Sequence, residues 1–197
     1  ARPDADARTS QWAQRIVDGV GEVDGIIENL LSFGSPERLR LERVDGQELL
    51  EGAARLAGSL LEAAPSIEVR SDVPTFRADR IKLRQAVRNL IENALEAQAG
   101  CARARVLVTL AHEGQELVCR VADAGPGVAP ELRTQILDPF FTTHADGTGL
   151  GLALVSVIAR LHGGSVHCAP DPSQLGGALF VLRVPFQPAD QPAALPT

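Results

Sequence analysis

The order in which strand and helix periods follow one another between residues 39 and 185 constrains the fold most strongly. Apolar and polar residues alternate in short stretches, which predicts strands: "LRLERVD", "IEVRSDV", "TFRAD", "ARVLVTLAHE", "ELVCRVAD", "GGSVHCAP" and "GALFVLRVP". Helical periods cover residues 46–63, 80–98 and the region around 150–161. Because helices and strands come in mixed runs, the pattern predicts an α+β fold, with one sheet covered by helices on one face.

The first 37 residues are predicted to form a separate element. Apolar residues from Trp12 to Leu31 recur at three- and four-residue steps, close to a heptad pattern, and Gly34 and Pro36 mark the end of this helix. The apolar side of the helix has no evident partner within the chain, so we expect it to self-associate or to fold back. The expected domains are therefore 1–37, 38–186 and a Pro/Ala-rich disordered tail at 187–197.

Charge and composition exclude several classes of function. The net charge is −6 without a basic cluster, which argues against a nucleic-acid surface. No apolar run reaches the roughly 18 residues of a membrane span, so we expect no direct membrane contact in this segment. The three cysteines lack the spacing of metal ligands and indicate reduced thiols, typical of a cytoplasmic protein.

Two asparagines one turn apart are the unusual feature of the helix predicted at 80–98, which Asp79 would cap. Asn89 and Asn93 lie beside an apolar stripe, although asparagine competes for backbone hydrogen bonds and is a mediocre helix residue. Their two carbonyl oxygens suit a hard cation such as Mg²⁺ that is bound mainly by phosphates. The alternative is that both amides are solvated or capped at a helix edge.

Three glycine segments follow this helix: "DAGPGV" (123–128), "DGTGLGL" (146–152) and "LGGALF" (175–180). Glycine alone mostly marks turns. The second segment says more, because its glycines leave backbone N–H groups uncovered where a helix begins and presents its own free donors. That combination binds phosphate.

Four segments in order carry a family resemblance: "NLIENA", "DAGPGV", "DPFFTT" and "GTGLGL". They resemble the N, G1, F and G2 boxes of the catalytic ATP-binding domain of sensor histidine kinases, in the gyrase, chaperone, kinase and MutL ATPase superfamily. The resemblance covers roughly residues 40–186. It implies a two-layer α/β sandwich of the Bergerat type, with ATP between helices and a flexible lid, preceded by a long helix from a dimerisation hairpin.

The resemblance also implies roles for individual residues. Asn93 would coordinate Mg²⁺ with help from Asn89, and Asp123 would accept a hydrogen bond from the adenine amino group. Gly125 and Gly127 would let the chain pass close to the base. Phe140 and Phe141 would be either core residues or lid anchors, and their Pro/Thr/Gly context favours anchors. The remaining ATP contacts, mainly backbone donors to the phosphates, would come from Thr143, Gly147, Thr148, Gly149, Leu150 and Gly151.

Some positions depart from the family pattern. Many relatives carry a lysine where this chain has Glu96 or His144, so phosphate charge would be neutralised differently, with Lys82, Arg84 or Arg88 as substitutes. Gyrase- and MutL-type ATPases carry a glutamate base four residues before the Mg²⁺ asparagine, where this chain has Asn89. Slow hydrolysis and phosphoryl transfer to a protein are therefore expected.

The phosphate acceptor implied by the resemblance is a histidine on a dimerising helical hairpin. None of the four histidines, His112, His144, His162 and His167, lies in such a motif. We therefore expect a fragment that begins after the phosphorylated helix, no catalytic side chain of its own, a homodimer through the N-terminal helix of the full-length protein, and a response regulator as the downstream partner. A membrane anchor, where one exists, would lie upstream. The alternatives are a non-catalytic ATP-binding signalling module and an anti-sigma-type serine kinase of the same superfamily.

Overall fold

The computed structural model describes residues 39–58, 65–101, 103–143 and 147–190. The helix and domain predicted at 1–37 lie outside these residues. The strands are β1 Glu42–Asp45, β2 Ser66–Ser71, β3 Thr75–Ala78, β4 Arg105–Glu113, β5 Glu116–Asp123, β6 Ser165–Cys168 and β7 Leu179–Pro185. The helices are α1 Gly46–Gly58, α2 Arg80–Glu96 and α3 Gly151–Leu161, with single 3-10 turns at Pro130–Leu132 and Gln135–Leu137.

Five strands form the main sheet in the order β2-β4-β5-β7-β6, and β1 pairs with β3 in a separate antiparallel ribbon. Only β2 and β4 run parallel in the main sheet; its other neighbours are antiparallel. The two strands that flank Pro74 therefore do not pair with each other. β2 joins the edge of the main sheet, where the Asp72 N–H extends the ladder to the Leu110 carbonyl at 2.9 Å. Local periodicity predicts strands but not their partners.

The core lies between the main sheet and the three helices. Alternate residues of neighbouring strands pair on the face that meets the helices, such as Val108 with Val121 and Cys119 with Leu182. From α2, Leu90 and Ile91 are fully buried against this layer. Burial of a side chain of this size contributes about 1.5–3 kcal/mol. The predicted α+β sandwich is confirmed, with helices packed on a single mixed sheet.

Both ends of α2 are fixed by side chains. Asp79 caps the start, where its Oδ1 accepts a hydrogen bond from the Lys82 N–H at 3.1 Å. At the other end the buried Gln98 donates from Nε2 to the Ala94 carbonyl at 2.8 Å and to the Arg105 carbonyl at 3.1 Å. Its Oε1 accepts from the Arg105 N–H at 2.9 Å. The helix that carries the asparagines is thereby held against the start of β4.

The chain remains ordered past β7. We predicted a disordered tail from residue 187, but the Arg77 N–H donates to the Gln187 carbonyl at 2.8 Å and Pro188 bridges to Phe76. The tail prediction therefore began too early, because Pro/Ala composition does not show an edge contact to β3. Residues 59–64 and 191–197 are not among the residues that the structure describes. None of the described helices is long and apolar enough to cross a bilayer.

Candidate functional site

Asn89 joins the middle of α2 to the start of α3. Its side chain is only 6% exposed, and Nδ2 donates to the Gly151 carbonyl at 3.1 Å. Since Gly151 is the first residue of α3, this bond aligns the helix N-terminus with α2. The sequence pattern predicts Asn89 at the edge of the apolar stripe. In the structure Asn89 is buried, because it contacts the start of α3.

Asn93 lies one turn further along α2 and is half-buried. One more turn on, the Ala97 carbonyl is close to Gly125, where an added Cβ would lie 3.3 Å from it. Residues 89, 93 and 97 share one side of the helix because they are four apart. This side of α2 therefore runs from the start of α3 to the loop after β5, with Asn93 between the two glycine segments.

Asp123 ends β5 with a carboxylate that is 1% exposed. Its Oδ1 accepts hydrogen bonds from the Gly125 N–H at 2.8 Å and the Ala178 N–H at 3.0 Å. Its Oδ2 is buried and has no hydrogen-bond partner among the described residues. Burial raises the pKa of Asp123 above its ordinary value, against the two backbone donors that lower it. A buried acceptor without a partner is costly, which indicates a ligand that donates to it.

A loop before β7 surrounds Asp123, and we call Ser173, Gly177 and Ala178 the Asp123 cradle. Ser173 Oγ donates to the Asp123 carbonyl at 2.6 Å, and the Gly177 N–H donates to the same oxygen at 3.0 Å. A Cβ on Gly177 would lie 2.1 Å from Asp123 Oδ1. Sequence reasoning noted the third glycine segment but gave it no role. The signal was present, because two glycines before a strand are consistent with a close backbone approach.

The second glycine segment packs directly on the "DPFFTT" segment. Gly149 has φ +66°, and its carbonyl accepts from the Phe140 N–H at 3.0 Å. An added Cβ on Gly149 would lie 2.5 Å from the Phe140 carbonyl carbon. The ring of Phe140 is 69% exposed, so it is not a core residue; the contact with Gly149 is made by its backbone, at φ 67°. Phe141 is half-buried.

The start of α3 presents free donors toward the same region. Leu150 is buried, and its N–H lies 3.4 Å from Thr148 Oγ1, an acceptor within the same turn. The first N–H groups of a helix have no partner within it, and they favour negative charge. The glycine segment and this helix start together can therefore bind an anion.

The remaining predicted residues lie around these contacts. Gly127, at φ +77°, approaches Gly177 from the loop after β5. Gly147 is half-buried, while Thr143 and Thr148 are exposed. His144, one of the positions that depart from the family pattern, lies outside the described residues.

Two charged residues of α2, Arg88 and Glu92, form an ion pair. Arg88 Nε lies 3.2 Å from Glu92 Oε1, one turn apart. Burial raises the pKa of Glu92, and the nearby Arg88 lowers it only in part. Arg88 is therefore engaged by Glu92. Within the described ranges no group of three His, Cys, Asp or Glu residues could hold a metal ion, so a cation here would depend on amide oxygens and on a ligand.

Comparison with known proteins shows the family to which this chain belongs. Residues 78–188 match the family model described as histidine kinase-, DNA gyrase B-, and HSP90-like ATPase. The sensor histidine kinase ZraS of Escherichia coli K12 is 33% identical over 93% of this chain and 39% of its own length. The signal transduction histidine-protein kinase AtoS of the same organism is 30% identical over 90% of this chain and 29% of its own length. The chain thus spans less than half of these relatives.

Solved structures show the same fold. Full-length ShkA in complex with AMPPNP is 31% identical, with a TM-score of 0.76 over 91% of this chain and 39% of that one. The catalytic domain of the histidine kinase ThkA is 26% identical, with a TM-score of 0.65 over 74% of this chain and 95% of that one. The second match extends over nearly the whole catalytic domain of that protein, so the described residues correspond to a unit of that kind.

Proposed function

Since the chain belongs to the histidine kinase-, DNA gyrase B- and HSP90-like ATPase family, we propose that it is the ATP-binding catalytic domain of a sensor histidine kinase. In this proposal it delivers the γ-phosphate of ATP to a histidine on a dimerisation helix, for relay to a response regulator. The kinases among its relatives support the assignment.

The observation that carries the proposal is the unpaired Oδ2 of Asp123. An ionised carboxylate only accepts hydrogen bonds, and the amino group of adenine only donates. The N–H groups of Gly125 and Ala178 hold Oδ1 and leave Oδ2 for the base. Gly125 and Gly127, in the loop that follows Asp123, would let the chain pass close to the base. The residues present therefore fit adenine.

Phosphate would lie at the start of α3. The backbone donors there are those of Gly147, Thr148, Gly149, Leu150 and Gly151, and Thr143 would reach the phosphates from the lid. The Nδ2 of Asn89 donates to Gly151, so its carbonyl oxygen is the end that can accept. We propose that Asn93 and Asn89 supply oxygen ligands to Mg²⁺, which when bound neutralises phosphate charge.

Transfer to a protein is favoured over hydrolysis. Asn89 cannot take a proton from water, and its amide is bonded to Gly151. Glu92 is paired with Arg88. Neither side chain suits the role of a general base, so positioning and charge stabilisation would supply the catalysis.

The whole protein's architecture is part of the proposal. Residues 1–37 would be the second helix of the dimerisation domain, and 38–186 the catalytic domain. The full-length protein would dimerise through the N-terminal helix, act in the cytoplasm and signal to a response regulator.

Labelled ATP tests the activity. We expect this chain to bind ATP without labelling itself, because none of its four histidines lies in a kinase-type acceptor motif that would hold it in line with the γ-phosphate, an ordering that contributes roughly 7–11 kcal/mol. Adding a separately produced histidine-bearing helical hairpin of the kinase type should yield acid-labile label on the hairpin alone. The Asn93→Ala variant serves as control and should lose the transfer. Label mapped by mass spectrometry to one of this chain's own histidines would contradict the proposal.

A further inference from the structure

Two hydrogen bonds join α2 and α3, one at each end of α3. Asn89 bonds the Gly151 carbonyl at the start of α3. At the other end His162, which caps α3, lies with Nε2 3.3 Å from the Asp79 N–H. The bonded positions are ten residues apart on α2 and eleven apart on α3, about 15 Å and 16 Å of helix. The helices are therefore antiparallel, and their axial alignment is fixed at both ends.

The His162 contact requires one form of the imidazole. The Asp79 N–H can only donate, so Nε2 must accept and the proton must lie on Nδ1. Nδ1 is 2.8 Å from the Ile158 carbonyl, which can only accept. Both contacts are satisfied by the neutral tautomer with its proton on Nδ1. A protonated ring would place an Nε2–H against the Asp79 N–H.

Asp79 connects His162 to the first turn of α2. Its Oδ1 accepts from Lys82 N–H at 3.1 Å and its Oδ2 from Arg40 N–H at 3.0 Å. Its carbonyl accepts from Leu83 N–H at 2.9 Å. The residue that receives the His162 bond is thus the cap of the helix that carries Asn89 and Asn93. A change at His162 acts on the first turn of α2.

We propose that His162 is a positioning residue for the nucleotide site: its neutral imidazole holds the end of α3 to Asp79 and, through the helix, supports the position of the α3 start relative to Asn93. This inference rests on the proposed function, because it assigns the purpose of the alignment to ATP binding. Loss of the contact lets α3 slide along α2, so the binding-competent arrangement is populated only part of the time. Apparent affinity falls by the same fraction.

Protonation should weaken the contact at acid pH. Two charged groups act on the ring: Asp79, whose carboxylate favours the charged form, and Lys82, which disfavours it. Burial is the largest effect and holds the pKa of His162 below its ordinary value of 6.5. Because the folded protein binds the proton less readily than the unfolded chain, the stabilisation is complete above pH 6.5 and is lost as pH falls from there toward the lowered pKa.

Two substitutions distinguish the contact of Nε2 with Asp79 from the contact of Nδ1 with Ile158. His162→Gln can still accept from the Asp79 N–H, because its amide oxygen reaches the position of Nε2, and it does not titrate. His162→Asn keeps a donor near Ile158 but is too short to reach Asp79. The matched control is His167→Gln, at an exposed histidine on β6. All four full chains are compared at a temperature at which circular dichroism shows them folded.

ATP affinity with Mg²⁺ is then measured by calorimetry from pH 5.5 to 8. At pH 8 we expect His162→Asn to bind about threefold to tenfold more weakly than wild type, the range that corresponds to one neutral hydrogen bond. His162→Gln should remain within about twofold of wild type at pH 8, and less dependent on pH below 6.5. His167→Gln should follow the wild type throughout.

Nitrogen-15 spectra of the histidine rings test the contact directly. We expect His162 to show the neutral form protonated at Nδ1. A ring protonated at Nε2 at pH 8 would overturn the inference. So would a His162→Asn variant that is less stable but binds ATP as tightly as wild type, because the residue would then be only structural. If the wild type binds no ATP at any pH, the proposed function fails, whereas the spectra still decide whether the His162 contact exists.

Discussion

Replacing Gly177 by alanine should weaken ATP binding by displacing Asp123. The new Cβ would lie 2.1 Å from Asp123 Oδ1, 2.5 Å from the Gly125 nitrogen and 2.7 Å from the Asp123 carbonyl oxygen. Ordinary contacts to carbon are about 3.5 Å or longer, so the clash is more than roughly 1 Å deep. The Asp123 oxygens involved are held by backbone donors, so relief requires movement of the cradle or of the carboxylate itself.

The size of the effect follows from the bond that is lost. A hydrogen bond to a charged group contributes about 1.5–3 kcal/mol, so loss of the adenine contact should weaken ATP binding about 10- to 150-fold. Overpacking costs a further ~1–3 kcal/mol of stability. For a chain of this length that corresponds to a fall in Tm of about 2–12 °C.

The neighbouring Gly176 provides the control. An alanine there meets nothing within 4 Å, but its backbone is in the left-handed region at φ +98°. Gly176→Ala should therefore lose stability through backbone strain of about 1–2 kcal/mol, without touching Asp123. Comparing the two variants separates a general loss of stability from a specific loss of adenine recognition.

Calorimetric titration with ATP and with GTP gives the decisive readout. Guanine presents a carbonyl oxygen where adenine presents an amino group, so the carboxylate should reject GTP in the wild type. Gly177→Ala should lose most of this preference, and Gly176→Ala should keep it. If folded Gly177→Ala retains wild-type ATP affinity and base preference, then Asp123 does not recognise adenine through its carboxylate.

Two further substitutions test the other groups of the site. Asp123→Asn should cost about 1.5–3 kcal/mol of ATP affinity, because an amide is no longer a pure acceptor; unchanged affinity in calorimetry would remove Asp123 from the site. Asn93→Ala should lower ATP affinity more in Mg²⁺ than in EDTA, because its carbonyl would contact the ion and not the base. Equal losses under both conditions would make Asn93 structural.

Local sequence was enough to predict most elements of the domain. The β4–β5 hairpin, the cap at Asp79 and the helix after the second glycine segment all follow from patterns within a few residues. The placement of β2 and β3 in different sheets does not follow from local patterns, because the partner of a strand depends on residues far along the chain. The same limit applies to Gln98, whose three backbone contacts join α2 to β4.

Some site residues can also be recognised from local sequence, whereas others depend on contacts with distant residues. Asp123 and the glycines of the first two segments stand out because glycine and carboxylate patterns are local. Ser173 and Gly177 do not stand out in the sequence, because they lie 50 and 54 residues along the chain from Asp123, which they contact. His162 was recognised only as a capping residue. Its bond to Asp79 spans 83 residues and becomes visible only when α2 and α3 are packed together.

Polar contacts, more than the apolar stripe, fix the position of Asn93. The hydrophobic effect is non-directional, so the apolar stripe selects which side of α2 is buried more than it sets the axial position of the helix. A shift of α2 by one residue rotates it about 100° and moves it about 1.5 Å, which would break the bonds of Asp79, Asn89 and Gln98 together. These bonds lie before and after Asn93, within α2 and at the residues that flank its two ends. Its side chain is therefore positioned from both directions, through partners on α3 and β4.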